Sequence, residues 1–366
     1  MDSVTHGLLG AVTAQLGFRQ RIGREAAWVA AGAAVAPDLD ILVGPLLSLT
    51  GVQLDGMASL TIHRGLSHSL LAVPVIALPI AGLWWWVRGA MRRREVRQAE
   101  ENAAPKPQAR FALLLACVLA AVLTHSLLDW CTSYGTQILA PMCSTRFAAD
   151  AVPIIDIIYT PILLLTLVAC LVVRRIARRP VPRRTLIAGW TGFLLSLAYL
   201  GAGRVMHDVA RAKGIWGAGN FEVLRADAYP ATGTIFVWRT VVESDDRWFV
   251  AKVHILGGTF RANDVLKVAP DDPWVRQAEE LPDVKSFRWF AMDRVRATYD
   301  RRDGLHIVEF HDMRYGPRPE SVESMWTLRV TFDDAGRQVG TERVSRHTRG
   351  SFPKRLADAW RDLWEP

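Results

Sequence analysis

Residues 111–128 read FALLLACVLAAVLTHSLL, and Asp129 follows at once. A run this apolar suits a helix crossing the hydrocarbon of a bilayer, which takes about 20 residues. It closes, however, on His125 and Asp129. Four residues apart, they share one face of a helix. Ionisable groups at the edge of an apolar segment are costly and call for a reason. One stretch therefore sets two expectations: a membrane-spanning helix, and a polar centre at one of its ends.

Working outward, five more apolar stretches precede residue 206, at 7–18, 26–47, 66–87, 153–173 and 185–203. The first is short and reads as a partial span or a tilted helix. The second is broken by Pro37-Asp38-Leu39-Asp40. The third holds Pro74 and Pro79, which membrane helices tolerate where neighbours satisfy the freed carbonyls. After residue 203 the composition changes. Runs at 234–242, 248–255, 306–310 and 325–332 carry the β-branched and aromatic residues of strands. Asp271-Asp272-Pro273 and Asp334-Ala335-Gly336 read as turns, and 274–281 and 355–364 as short helices. The predicted fold is an α-helical membrane bundle of about five to six apolar helices, residues 1–205, followed by a soluble mainly-β (α+β) domain, residues 206–366.

The chain's net charge of +8 invites a nucleic-acid reading. Its arginines argue otherwise, because they gather beside the apolar runs. Arg19, Arg21 and Arg24 follow the first. Arg88, Arg92, Arg93, Arg94, Arg97, Lys106 and Arg110 separate the third from the fourth. Arg174, Arg175, Arg178, Arg179, Arg183 and Arg184 separate the fifth from the sixth. The other two loops hold only Arg64 and Arg146. The positive-inside rule puts the basic loops in the cytoplasm. The expectation is a multi-pass inner-membrane protein with its N-terminus and β-rich domain outside, the lipid bilayer as its partner, and no nucleic acid. No basic stretch precedes the first apolar run, so no cleavable signal peptide is expected. Cys117 and Cys170 lie inside apolar runs as core residues. Cys131 and Cys143 flank a loop, and their spacing leaves a disulfide open.

Counting arginines also places His6, Asp38, Asp40, His63, His68, His125, Asp129 and Asp156 near the same outer face. His6, Asp38, His63, His68, His125 and Asp129 are the expected metal ligands. Asp40 and Arg64 are expected to act in catalysis, and Arg64 and Arg146 to bind substrate. His63 and His68 flank Arg64-Gly65, where glycine permits a sharp turn and arginine offers a fixed cation. A capped helix start would explain Ser67 and Ser69, but not two histidines and an arginine together. Pro37 offers a local break that turns Asp38 and Asp40 toward one site; a hydrated kink is the plainer alternative. Nitrogen and oxygen donors without thiolate favour Zn2+, with Mn2+ or Fe2+ as alternatives. The donors exceed the three a catalytic zinc takes, which points to two ions or to carboxylates behind one ion. Such an ion acidifies water and supplies a nucleophile. A metal-ion or proton transporter, or a metal-stabilised scaffold, would use the same residues. His207, His254, His306, His311 and His347 read as ordinary surface or core residues. His311-Asp312 is the best exception, and reads equally as a turn with an Arg–Asp pair.

At Asp2-Ser3-Val4-Thr5-His6, Pro37-Asp38-Leu39-Asp40, His63-Arg64-Gly65-Leu66-Ser67-His68-Ser69 and His125-Ser126-Leu127-Leu128-Asp129, the chain resembles the prokaryotic membrane-bound metal-dependent hydrolases (YdjM-type, often labelled LexA-regulated). Thr132-Ser133-Tyr134-Gly135-Thr136 through Pro141, and the Asp156 region, resemble that family too. Ile157 stands where proline is expected, and Ser67 where threonine is common. The soluble half resembles longer members through Trp238-Arg239, Arg288-Trp289-Phe290 and Asp312-Met313-Arg314-Tyr315-Gly316. The resemblance implies hydrolysis. The histidine–aspartate pattern is also distantly similar to zinc-dependent phospholipase C and single-strand nucleases. That similarity implies attack on a phosphoester, here of a lipid or other amphiphile at the outer membrane face.

Overall fold

The computed structural model describes residues 1–52, 62–98, 110–176, 182–256, 260–267, 272–345 and 361. The helical part opens with α1 (Ser3–Gln15), α2 (Phe18–Ile22) and α3 (Glu25–Val35). A 3-10 segment, Ala36–Leu42, leads from α3 into α4 (Val43–Ser48). Then come α5 (Ala72–Gln98), α6 (Phe111–Trp130), α7 (Tyr159–Ile176) and α8 (Pro182–Gly217). Among the described residues, five stretches are long and apolar enough to cross a membrane: Glu25–Ser48, Ala72–Arg94, Phe111–Trp130, Tyr159–Ile176 and Arg183–Gly217. With 13 residues, α1 is not among them; it packs on α3, α6, α7 and α8. Large apolar side chains stay on the outside of the spans, such as Trp28 at 80% exposure, Leu165 and Ile176. Such a surface suits lipid as its solvent.

Between the helices the core is built from small residues. Ala30, Ala33, Ala34, Ala77, Ala81, Cys117 and Ala121 are buried in one cluster. In a bilayer, helix association rests on close packing, which small residues allow. Two glycines show how close. A Cβ on Gly10 would stand 2.4 Å from the Ala30 carbonyl oxygen, and one on Gly192 would stand 1.9 Å from Thr166 Oγ1. Gly192→Val should therefore force α7 and α8 apart and lower stability by about 1–3 kcal/mol. Thermal unfolding in detergent reads that loss, and an unchanged midpoint would contradict the contact.

The β-rich part holds two four-stranded antiparallel sheets in simple meander order. The first is β1 (Arg225–Pro230), β2 (Val237–Glu243), β3 (Arg247–His254) and β4 (Phe260–Leu266). The second is β5 (Val295–Arg302), β6 (Leu305–Asp312), β7 (Trp326–Phe332) and β8 (Gln338–Ser345). Between the sheets lie α9 (Pro273–Glu279) and α10 (Pro282–Phe290), whose Val275, Val284 and Phe287 pack on the second sheet. The expected turn Asp334-Ala335-Gly336 joins β7 to β8, with Gly336 at φ +77°. Asp271 lies outside the described residues, while Asp272 caps α9. Of the helix expected at 355–364, only Arg361 is described.

The expected division at 205/206 falls inside α8, which runs on to Gly217. Its last turns pack on β1, β2 and β3. One buried cluster joins Val12, Leu128, Tyr159 and Leu163 of the helices to Ala228, Trp238 and Val253 of the first sheet and to Ile235 in its β1–β2 loop. All four cysteines are free, Cys131 and Cys143 included.

Candidate metal centre

Local structure explains how each side chain reaches the centre. The Asp2 carboxylate caps α1, accepting from Thr5 N at 3.0 Å, and so fixes the first turn that carries His6. Asp38 and Asp40 sit on the 3-10 segment that begins at Ala36-Pro37. Residues two apart on an α-helix point nearly opposite ways, whereas three residues per turn leave them about 120° apart. Both carboxylates can then serve one region. His68 ends the short 3-10 turn Leu66–His68. His125 and Asp129 lie one turn apart near the end of α6, both fully buried.

The loop before His68 departs from expectation. Arg64, not Gly65, takes the left-handed conformation, with φ +58°; Gly65 has φ −87°. Bonds on every side hold Arg64 there. Its N–H donates to Asp40 Oδ2 at 3.3 Å, and its carbonyl accepts from Gln137 N at 3.0 Å. Its Nη1 donates to Thr132 Oγ1 at 2.6 Å, and its Nε lies 3.0 Å from Asp129 Oδ2.

Four residues converge: Asp38, His68, His125 and Asp129, each offering one donor atom, all within 4.8 Å of one another. Asp38 Oδ1 is 3.5 Å from both His68 Nε2 and His125 Nε2. Asp129 Oδ2 is 3.3 Å from His68 Nε2 and 3.6 Å from His125 Nε2. Yet His68 Nε2 and His125 Nε2 are buried without a hydrogen-bond partner, and Asp129 Oδ2 has the Arg64 ion pair but no hydrogen bond. His125 Nδ1 donates to the Ala34 carbonyl at 2.6 Å. In the neutral ring Nε2 then carries a lone pair beside two carboxylates. That arrangement is repulsive until a cation stands between the donors. The two-nitrogen, two-oxygen set therefore fits a divalent metal.

Behind this group stands a second layer. Asp40 accepts from Ser67 Oγ at 2.7 Å, meets His63 Nδ1 at 2.9 Å and lies 3.3 Å from His68 Nδ1. It orients His68 from the side away from the four donors, as carboxylates behind metal-bound histidines do. Ser3 Oγ donates to Asp38 Oδ2 at 2.6 Å. His6 Nε2 lies 3.1 Å from Asp129 Oδ1, and its ring stacks on His125 at 3.8 Å between centroids. The Met1 amino nitrogen lies against both His6 Nε2 and Asp129 Oδ1. His63 sits at the rim with its side chain 28% exposed. His6 and His63, expected as ligands, thus stand beside the four-donor group and not in it: His6 Nε2 is engaged by Asp129 and His63 Nδ1 by Asp40, while His6 Nδ1 is buried without a partner.

Two other expected residues lie apart. Asp156 accepts from Ile158 N and Tyr159 N, both at 2.8 Å, and from Tyr199 Oη at 2.9 Å. It caps α7 and has no part in the centre. Asp156→Ala should cost about 0.5–2 kcal/mol of stability, with metal content unchanged. Thermal unfolding and elemental analysis of one sample check both halves of that statement. Arg146 donates from Nη2 to the Gly135 carbonyl at 2.8 Å and packs among Tyr134, Trp289 and Phe290.

The loop after α6 is clasped by the β-rich part. Arg314 pairs with Asp312 through Nη2–Oδ2 at 2.7 Å, both side chains fully buried. The same guanidinium donates to the carbonyls of Ser133 and Tyr134, both at 3.1 Å. The Tyr134 ring meets Phe290, Trp326 and the Arg64 guanidinium. The Arg–Asp reading of this motif describes the geometry; its reach to Ser133 and Tyr134 is what the sequence did not display. The start of α1, the ends of α3 and α6 and the loop before α5 all bring donors to the end of the bundle where the sheets dock. His306 meets Tyr299 and Asp334, and His311 meets Thr298 and Thr327, both away from the centre. His347 lies outside the described residues.

Residues 1–209 match the family described as YdjM inner membrane protein. No curated protein and no solved structure matches the chain.

Proposed function

We infer that this chain, which belongs to the YdjM inner membrane protein family, is a membrane-bound metal-dependent hydrolase acting on a phosphoester of a lipid or other amphiphile. The observation that carries the reading is the quartet Asp38, His68, His125 and Asp129, in which the buried Nε2 atoms of His68 and His125 lack hydrogen-bond partners. These four would hold the ion, and Zn2+ suits them best, with Mn2+ or Fe2+ as alternatives. Such an ion acidifies water at neutral pH and polarises a phosphoryl oxygen.

The chain's own residues supply the rest. Asp40 and the Ala34 carbonyl fix the rings of His68 and His125. The Arg64 guanidinium, which lies beside Asp129 and over Tyr134, would offset charge on a phosphoryl oxygen. Water adds to phosphorus, the bond to the alcohol oxygen breaks, and that oxygen takes up a proton. The basic loops face the cytoplasm in this reading, so the centre and the β-rich domain face outward. A transporter would spread ionisable groups through the depth of the membrane. The gathering of donors at one end of the bundle supports hydrolysis over transport.

Detergent-purified protein screened against lipid phosphoesters and nucleotides tests this. Turnover that a chelator abolishes and Zn2+ restores is expected. Absence of turnover by metal-loaded protein, with zinc uptake in proteoliposomes, would replace hydrolysis by transport. Asp40→Asn should weaken metal affinity about 10–100-fold while the chain stays folded. Competition with a chelating dye measures that shift, and unaltered affinity would remove Asp40 from its orienting role.

A further inference from the structure

Arg146 is a buried cation that the metal centre does not account for. Only 5% of it is exposed. Arg64 has Asp129 and Arg314 has Asp312, but among the described residues Arg146 has no carboxylate partner. Its Nη2 reaches the Gly135 carbonyl, while Nε and Nη1 have no acceptor. Three rings surround the guanidinium carbon, Tyr134 and Trp289 each at 5.2 Å and Phe290 at 5.4 Å. Rings attract a cation, but they leave those N–H groups unsatisfied. Burial pushes the guanidinium down to about 10, as expected for a charge taken from water without a counter-ion.

The cage is rigid. Gly135 has φ +85°, and a Cβ there would stand 3.2 Å from Arg146 Cβ and 3.3 Å from Met292 Sδ. Both parts of the chain build it, Tyr134 and Gly135 from the loop after α6, and Trp289 and Phe290 from α10. Trp289 Nε1 donates to the Ser144 carbonyl at 2.8 Å, which ties the two sides together. Arg64 stands on the same Tyr134 ring, 4.7 Å from its centroid. Both guanidinium groups thus lie against one ring, one of them beside the metal centre.

We propose that Arg146 binds an oxyanion, and that with Arg64 it forms a two-point site for a diphosphate, whose second, non-reacting phosphoryl group Arg146 holds. Planar guanidinium edges match phosphate oxygens in pairs. The proposal deepens the hydrolase reading and rests on it only for the statement that the diphosphate is substrate. It makes the β-rich domain part of substrate binding, through Trp289 and Phe290.

Isothermal titration of the full-length protein in detergent, with inorganic phosphate and with pyrophosphate, is the test. The wild-type chain should bind pyrophosphate at least about tenfold more tightly than phosphate, the size of one charge-assisted contact. Arg146→Gln should bring the two affinities together. Arg146→Lys keeps a cation among the rings but loses the fork, so a reduced preference is expected at an unchanged unfolding temperature. It decides the matter if Arg146→Gln fails to fold. Farnesyl diphosphate in mixed micelles separates the sources: tighter binding than pyrophosphate assigns the group to a lipid, and equal binding to a soluble diphosphate. A wild-type chain without the preference, or variants that retain it in full, would overturn the proposal. The two readings can fail separately. A protein without metal that keeps an Arg146-dependent preference sinks hydrolysis alone, and a metal-bearing protein indifferent to Arg146 sinks the diphosphate site alone.

Discussion

His125→Ala should empty the metal centre. Content measured by elemental analysis is expected to fall from about one ion per chain to below about a tenth of that, because a closed set of few protein ligands does not survive the loss of one. The ring is fully buried and its Nε2 stands within 3.6 Å of the Asp38 and Asp129 carboxylates. His6, stacked on the same ring, directs its Nε2 to Asp129 and is not one of the four converging donors. His68→Ala should do the same. His63→Ala removes a rim histidine bonded to Asp40 and should keep most of the metal. The contrast between His68 and His63, five residues apart, is the sharp part of the prediction. Equal metal in His68→Ala and wild-type protein would remove the four-donor centre, and with it the chemistry proposed for this chain. Turnover, once a substrate is in hand, should follow metal content across the three variants.

Asp312→Ala should destabilise the folded chain by about 3–5 kcal/mol, the cost of leaving a buried charge without its partner. Asp312 accepts from Arg314 through both carboxylate oxygens, and neither side chain is exposed. The damage should not stay in the β-rich part. Arg314 also holds the Ser133 and Tyr134 carbonyls, so a guanidinium in search of solvent releases the loop that follows Asp129. Tyr134 is the ring shared by Arg64 and Arg146, and both would lose their setting. Urea unfolding in detergent, followed by tryptophan emission, reads the stability change. Replacing both partners, Asp312→Leu with Arg314→Met, should recover much of the loss, because a buried pair replaced by apolar groups of similar volume costs little. Loss below about 1 kcal/mol in the single variant would show that the pair is solvated and the clasp weak.

Much of the helical part was legible in sequence, and the reason is local. An apolar run long enough to span lipid declares itself without knowledge of its neighbours, as residues 111–128 do. The strands were harder. β2, β3, β6 and β7 carry apolar or aromatic runs and were read. β5 (VRATYDRR) and β8 (QVGTERVS) are edge strands with exposed, charged faces, and edge strands are built that way to discourage further pairing. The boundary expected at 205/206 lies within α8, because composition turns polar there while the helix continues. Its last turns lie on the first sheet, where one buried face suffices.

The residues of the centre were legible as well, but not their roles. The cost of placing His125, Asp129, Asp38 and His68 in apolar surroundings can be read from the chain alone, since it belongs to each residue and its neighbours in sequence. Which donors face one another cannot be read that way. His6 and His68 look alike in sequence. In the structure one leans on Asp129 while the other joins the four donors, and only the packing of separate segments decides between them. Nor does spacing show that Arg64 rather than Gly65 takes the left-handed turn, because Asp40, Thr132, Gln137 and Asp129 hold it there from three other segments. By itself, then, the sequence determined where the chain meets lipid and which side chains need a reason to be there, since both follow from transfer free energies along one strand of chain. Tertiary structure alone decided which atoms meet, and it set the Arg314 clasp and the Arg146 cage, because distances between segments far apart in sequence are fixed by packing.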